Sequence, residues 1–242
     1  MRVELSVEVV AGLVERERLG EPHPVLAGGE RYVSPRVAGL VDEVLWRELA
    51  DAGLDDRDRL AELVTAITVV QRAHREFYGW VAAGDRTWAT VAAAIGRAAT
   101  VVTRRGDRVS VRRVDARRLV EVVVGELPVV PGGRGESISV SAAELSPTPG
   151  ILRRPTDGRA GARRLTALLA APRLGGATLY AARRDEHGAR TRSAQWLSVI
   201  DLAEGRWLVY ATDAGGDRTV NAVPASAALL TDKLTALPGR AR

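Results

Sequence analysis

The sequence predicts an α+β protein: one continuous, mostly antiparallel sheet covered by helices and built from a unit that occurs twice. Three observations carry this expectation. Apolar residues recur at helical spacing between Ser6 and Val70. Two later stretches are β-branched and apolar around glycine turns, "GRAATVVTRRGDRVSVRRV" at 96–114 and "GRWLVYATDAGGDRTVNAVP" at 205–224. Residues 106–128 also align without a gap on 216–238, with Gly106/Gly216, Asp107/Asp217, Arg108/Arg218, Leu119/Leu229, Leu127/Leu237 and Pro128/Pro238 identical.

The first helix is expected from Ser6, whose hydroxyl suits an N-cap, through Val9, Val10, Leu13 and Val14 on one face to a stop at Gly20. A second opens on Ser34 and Pro35, carries Val37, Leu40, Val41, Val44, Leu45 and Leu49, and stops at Gly53. The third starts near Asp55 or Asp56, where carboxylates favour a helix amino terminus, and carries Leu60, Leu63, Val64, Ile67 and Val70. It runs into "HREFYGWVAAG", whose aromatic and β-branched residues favour extended chain. Strands follow at "TWATVAAAI", "AATVVTR" and "RVSVRRV", the last two joined by a tight turn at Arg105-Gly106-Asp107. "DARRLVEVVVGEL" reads as a helix capped by Asp115 with Leu119, Val122, Val123 and Leu127 at helical spacing, although its valines leave strand open.

The second half repeats that order. A helix with Leu165, Leu168 and Leu169 breaks near Pro172, and strands follow at "GATLYAARR", "RSAQWLSVID", "GRWLVYATD" and "RTVNAVP". "ASAALLTDKLTAL" closes at Pro238. A single domain over 1–242 is therefore expected, with duplicated halves at 60–128 and 163–238 related by a pseudo-two-fold axis. Pairing the halves protects edges that either would expose alone. Segment 129–162, rich in Pro, Gly and Arg around one β-like "SISVS", is expected to be a mobile linker.

Composition narrows the function classes. At 242 residues and 46% hydrophobic content the chain supports a sizeable core, and the absence of cysteine excludes disulfides, a thiolate nucleophile and zinc–thiolate sites. No uncharged apolar run reaches the roughly 18 residues of a membrane span. The amino terminus lacks a secretory pattern, so a cytoplasmic location is expected. Basic residues outnumber acidic ones by 35 to 30, but the signs are interleaved, which disfavours nucleic acid as a partner. A basic nucleic-acid-binding or regulatory module remains the alternative class.

His23, His74 and His187 lack metal-ligand spacing, and no serine sits in a GxSxG elbow. "PGGRGES" at 131–137 lacks the lysine of a phosphate-binding loop and reads as flexible chain. No enzyme activity, metal or cofactor is expected. Trp80, Trp88, Trp196, Trp207, Tyr78, Tyr180 and Tyr210 lie in or beside the expected strands; most should fill the core, and some could anchor a protein partner on an open sheet face.

The runs "REFYGWVA", "LPVVPGGRGESISVSAAEL" and "SVIDLAEGRWLVYATD", in this order and followed by a closing helix, resemble the EspG family of ESX (type VII) secretion-associated proteins of actinobacteria. The resemblance spans nearly the whole chain. It implies a cytoplasmic, non-enzymatic chaperone whose central sheet is flanked by two helical bundles in quasi-two-fold symmetry. It also implies a partner, the apolar tip of the PPE member of a PE–PPE helical heterodimer, which the chaperone keeps soluble and delivers to its secretion system. Binding in the family involves the sheet and the carboxy-terminal helical region. The matching segments here are "QWLSVID", "GRWLVY" and the last helix, giving Trp196, Leu197, Val199, Trp207, Val209, Tyr210, Leu229 and Leu230 as candidate partner-binding residues. Strand alternation sets part of that group on each sheet face. A monomer or weak dimer is expected.

Overall fold

The computed structural model describes residues 1–28, 38–145, 158–214 and 216–237; the expected cap residues Ser34 and Pro35, the apolar Val37 and the closing Pro238 lie outside these. The amino-terminal half runs β1 (Arg2–Ser6), α1 (Val7–Arg16), α2 (Ala38–Asp51), α3 (Arg57–Gln71), β2 (Arg75–Ala83), β3 (Arg86–Ile95), β4 (Ala98–Arg105), β5 (Arg108–Arg113) and α4 (Leu119–Gly125). The other half runs β6 (Ile138–Ser141), α5 (Ala142–Leu145), α6 (Gly158–Ala170), β7 (Gly175–Arg184), β8 (Arg190–Arg192), β9 (Leu197–Leu202), β10 (Gly205–Ala214), β11 (Asp217–Pro224) and α7 (Ala227–Ala236).

The eleven strands form one sheet in the order β1-β5-β4-β3-β2-β7-β9-β10-β11-β6, with β8 added on β7. The ladders between them are antiparallel, and the α+β architecture is the expected one. The order reads alike from either edge. Each half places its opening strand outermost, beside its last strand, and the halves meet where β2 pairs with β7 over nine residue pairs. Gly106 and Gly216 occupy the β4–β5 and β10–β11 turns with φ of +61° and +91°, backbone that side-chain-bearing residues adopt only with strain.

Local chemistry explains the helix starts. Ser6 accepts from the Val9 N–H at 3.2 Å, Asp56 from Arg59 at 3.4 Å and Ser226 from Leu229 at 3.2 Å. Asp115 differs from expectation: α4 begins only at Leu119 after Arg118, and the Asp115 carboxylate accepts from the Arg117 N–H in the preceding turn. β1 was not legible as a strand, because its five residues with Val3 and Leu5 inward are short and abut a strong helical pattern. The 129–162 segment is also more ordered than a linker in its first part. Arg206 N–H donates to Pro131 O and Gly133 N–H to Arg206 O, both at 2.8 Å, and β6 adds an edge strand to β11. A Cβ at Gly133 would stand 2.2 Å from Trp207 Nε1, so the glycines are there for close packing on an indole. Residues 146–157 of that segment lie outside those described.

Alternation sends the strands' apolar residues to two faces. On one, α4 and α7 place Leu119, Val123, Leu230 and Leu234 against Phe77, Val81, Val101, Leu179, Leu197, Val199 and Leu208. On the other, two separate groups form. Leu13, Leu49, Leu63 and Ile67 of α1 to α3 cover Leu5, Val91, Val102 and Val111, while α6 puts Leu165 near Val140, Ile200, Trp207 and Ala222. Between these groups lies Trp80, 41% exposed at the centre of the sheet.

Candidate functional site

The β2–β7 junction supplies the floor of the site. Glu76, Tyr78 and Trp80 alternate onto one face, opposite Ala182, Tyr180 and Thr178 in register. Tyr78 stacks on Tyr180 with centroids 5.3 Å apart, and Trp80 meets both rings edge-on at 5.7 and 5.8 Å. Across six strands the row Arg104, Ala89, Trp80, Thr178, Ser198 and Val209 lies side by side. An open cleft of about 730 Å³ follows this row, bounded by Pro24, Val25 and Ala27 on one side and by Arg173 and Leu174 on the other. Leu174 is 62% exposed. Gly176 lets the floor close up, because a Cβ there would fall 2.4 Å from the Val199 carbonyl oxygen.

The wall formed by Pro24 and Val25 is tied to the sheet by a buried polar cluster. Gln71 Oε1 accepts from the His23 backbone N–H at 2.8 Å, and His23 Nδ1 accepts from the Val25 N–H at 3.2 Å. With that lone pair engaged, Nε2 carries a proton and donates to Glu76 Oε1 at 3.2 Å. Arg190 donates to the same carboxylate oxygen through Nε at 2.8 Å and through Nη2, and its guanidinium lies 5.2 Å from the Tyr78 ring centre. Burial works to raise the Glu76 pKa, but the hydrogen bonds from His23 and Arg190 and the positive charge around it outweigh this and hold the carboxyl below its usual range.

A second exposed aromatic arises from a strand irregularity. β8 pairs Arg192 with Ala182 and β9 pairs Leu197 with Leu179, so the register along β7 slips by two residues between the ladders. The bulge over 193–196 is fixed at its start by the Ser193 N–H donating to Ala181 O at 2.9 Å and at its tip by Gln195 Nε2 donating to Asp213 at 3.3 Å. It carries Trp196, 46% exposed, next to a strand where Arg192 covers the Tyr180 ring at 5.0 Å. The unbroken strand expected over "RSAQWLSVID" is thus two strands separated by a projecting segment.

The sequence-derived partner residues divide between core and surface. Leu197, Val199 and Leu230 are buried under α4 and α7, and Trp207 is buried on the opposite face beneath Gly133 and Gly135. These four are buried, because both sheet faces are covered over β9 and β10; Val199 also lines the cleft. Val209 is half-buried on the α6 side, whereas Tyr210 and Leu229 are half-buried on the α4–α7 side, with Lys233 Nζ 4.7 Å from the Tyr210 ring centre. Only Trp196 is prominently exposed. Trp80 and Tyr180 were among the aromatics expected either to fill the core or to anchor a partner on an open sheet face, but were not among the candidate partner-binding residues; Leu174 and the cleft arginines were not singled out. The signal for the aromatics was the i, i+2 spacing of Tyr78 and Trp80, which fixes a shared face without revealing that it is open.

A sheet presenting an exposed tryptophan in a mostly apolar cleft, with a second exposed tryptophan on a bulge beside it, is a scaffold for burying apolar residues of another protein. Among the described residues, no cluster of three or more His, Asp or Glu could hold a metal ion, and no helix is long and apolar enough to cross a membrane. The EspG family model matches residues 6–236, and the chain belongs to the EspG family. Among solved structures it is similar to the Mycobacterium tuberculosis type VII secretion system chaperone EspG5, determined in complex with the PE25–PPE41 dimer. That match has a TM-score of 0.70 at 16% identity and covers 98% of this chain and 96% of that one. At this identity the likeness is one of fold. No curated protein matches the chain.

Proposed function

We propose that this chain is a cytoplasmic, non-enzymatic chaperone of type VII secretion that binds the apolar tip of a PPE-type protein in a PE–PPE-like heterodimer, keeps it soluble and directs it to its secretion system. The observation that carries this reading is the open cleft at the β2–β7 junction in a member of the EspG family, with Trp80 and Leu174 exposed along it and Trp196 exposed on the bulge beside β7. An apolar tip left in water is an aggregation hazard, and a concave apolar surface removes it until export. Trp80 and Trp196 are the proposed anchors, because large rigid aromatics dominate interface energetics. Val209, Tyr210 and Leu229 are proposed as accessory contacts, and the chaperone acts as a monomer or weak dimer. Calorimetry against a purified PE–PPE heterodimer tests this. Trp80→Ala and Trp196→Ala are each expected to weaken binding by about 2 kcal/mol or more while circular dichroism stays unchanged. If both variants fold and bind like the parent, the cleft is not the site.

A further inference from the structure

The cleft beside Trp80 is apolar on its floor and basic at its rim. Among the described residues its charged lining residues are Arg104 and Arg173, and no aspartate or glutamate lines it. Several other arginines are paired with carboxylates: Arg105 and Arg112 with Glu126, Arg108 with Glu4 and Glu48, Arg113 with Glu62, Arg190 with Glu76 and Arg206 with Asp201, whereas Arg75 and Arg184 donate to backbone carbonyls. Among the described residues neither Arg104 nor Arg173 has a carboxylate partner. Arg104 is nevertheless held in place, donating from Nε to Gly106 O at 2.9 Å and from Nη1 to Ala27 O at 2.5 Å. Both acceptors are neutral carbonyls, so no carboxylate offsets the charge of this cleft-lining guanidinium.

The geometry points to a partner whose apolar docking segment is flanked by carboxylates, one meeting Arg173 beside the exposed Leu174 and one meeting Arg104 on the opposite wall. This rests on the reading of the cleft as the chaperone's docking site and adds the chemistry that its occupant carries. An incoming carboxylate displaces no internal ion pair. It meets a guanidinium already fixed by two hydrogen bonds, so little side-chain freedom is lost, and it strengthens the pair as the apolar segment excludes water. A lysine-flanked segment would instead bring like charge against two unneutralised arginines. The rim therefore selects among apolar segments that the floor alone would accept alike.

The test uses the full chain and two labelled amphipathic peptides with the same Trp, Leu and Phe face, one flanked by Asp and Glu, the other by Lys. Fluorescence anisotropy is expected to show the acidic peptide binding at least about tenfold more tightly, with the preference shrinking as salt is raised. Arg173→Glu is a surface change that leaves the fold intact and is expected to remove most of the preference; adding Arg104→Glu is expected to reverse it. Equal binding, absent binding, or a preference that survives Arg173→Glu overturns the inference. A parallel titration with the PE25–PPE41 dimer separates the two readings. If that dimer binds the parent and both arginine variants equally, the chaperone reading stands and the charge selection falls. If it fails to bind while the acidic-peptide preference holds, the assignment of the partner class falls and the charge selection stands.

Discussion

Glu76 is a buried carboxylate whose two donors come from opposite sides, His23 from the loop that walls the cleft and Arg190 from β8. Its folded pKa is lowered, so the unfolded chain takes up this proton first as pH falls. The stability it contributes is fully present above the ordinary glutamate range near about pH 4.3 and is lost as pH drops through the lowered folded value. Thermal midpoints recorded across that window are expected to fall more steeply for the parent than for Glu76→Gln. Asp201 and Arg206 form a tighter pair, two parallel bonds of 2.6 and 2.8 Å with both side chains buried, directly across the β9–β10 ladder. Asp201→Ala leaves Arg206 charged and unpaired, and urea unfolding is expected to register a loss of about 3–5 kcal/mol. Neither pair was legible beforehand. Asp201 and Arg206 lie five positions apart, a spacing that looks like turn punctuation until the register is known, and Glu76 lies 53 positions from His23.

At the scale of elements, most strands and helices were legible because their signals are local: serine or aspartate at the start, alternation within, glycine at the turn. What escaped depends on a partner strand. The 193–196 bulge is defined only against β7, and the fixed path of Pro131 to Gly133 only against Arg206. The burial of Leu197, Val199, Trp207 and Leu230 escaped for the same reason, since alternation separates two faces but does not say whether helices cover both. The bulge yields a direct test. Deleting Gln195 and Trp196 together removes the two-residue slip and brings the ladders of β8 and β9 on β7 into one register, with the facing pattern of both strands preserved. This deletion is expected to leave cooperative unfolding intact in denaturant titrations while binding to a PE–PPE heterodimer is lost. A variant that binds at parental strength would remove the bulge from the interface.

For the whole molecule, the ungapped match of 106–128 to 216–238 fell on equivalent elements, β5 with α4 and β11 with α7. The repeat in the topology reaches further than 60–128 and 163–238, because β1 and β6 also take matching places at the two edges. We infer that one domain arose by duplication of a unit beginning with an edge strand; those opening strands are too short and too dissimilar in sequence to have betrayed it. A fragment ending at residue 128 would expose all nine paired residues of β2 as a free edge. It is expected to self-associate in light scattering, whereas a monodisperse monomer would show that the halves do not depend on this seam.

The place where β2 meets β7 carries a further consequence. A pair of identical units joined at that seam would offer every visitor two indistinguishable poses, each the half-turn image of the other. In one covalent chain the poses are no longer equivalent. His23 and its loop stand on one side, the projecting Trp196 and the exposed Leu174 on the other, and Tyr78 faces Tyr180 across the line between them. The joined halves therefore give the groove a direction, and under the proposed docking reading a segment seated there would point one way only, as a carrier would need if the far end of its load is to reach a receiving machine.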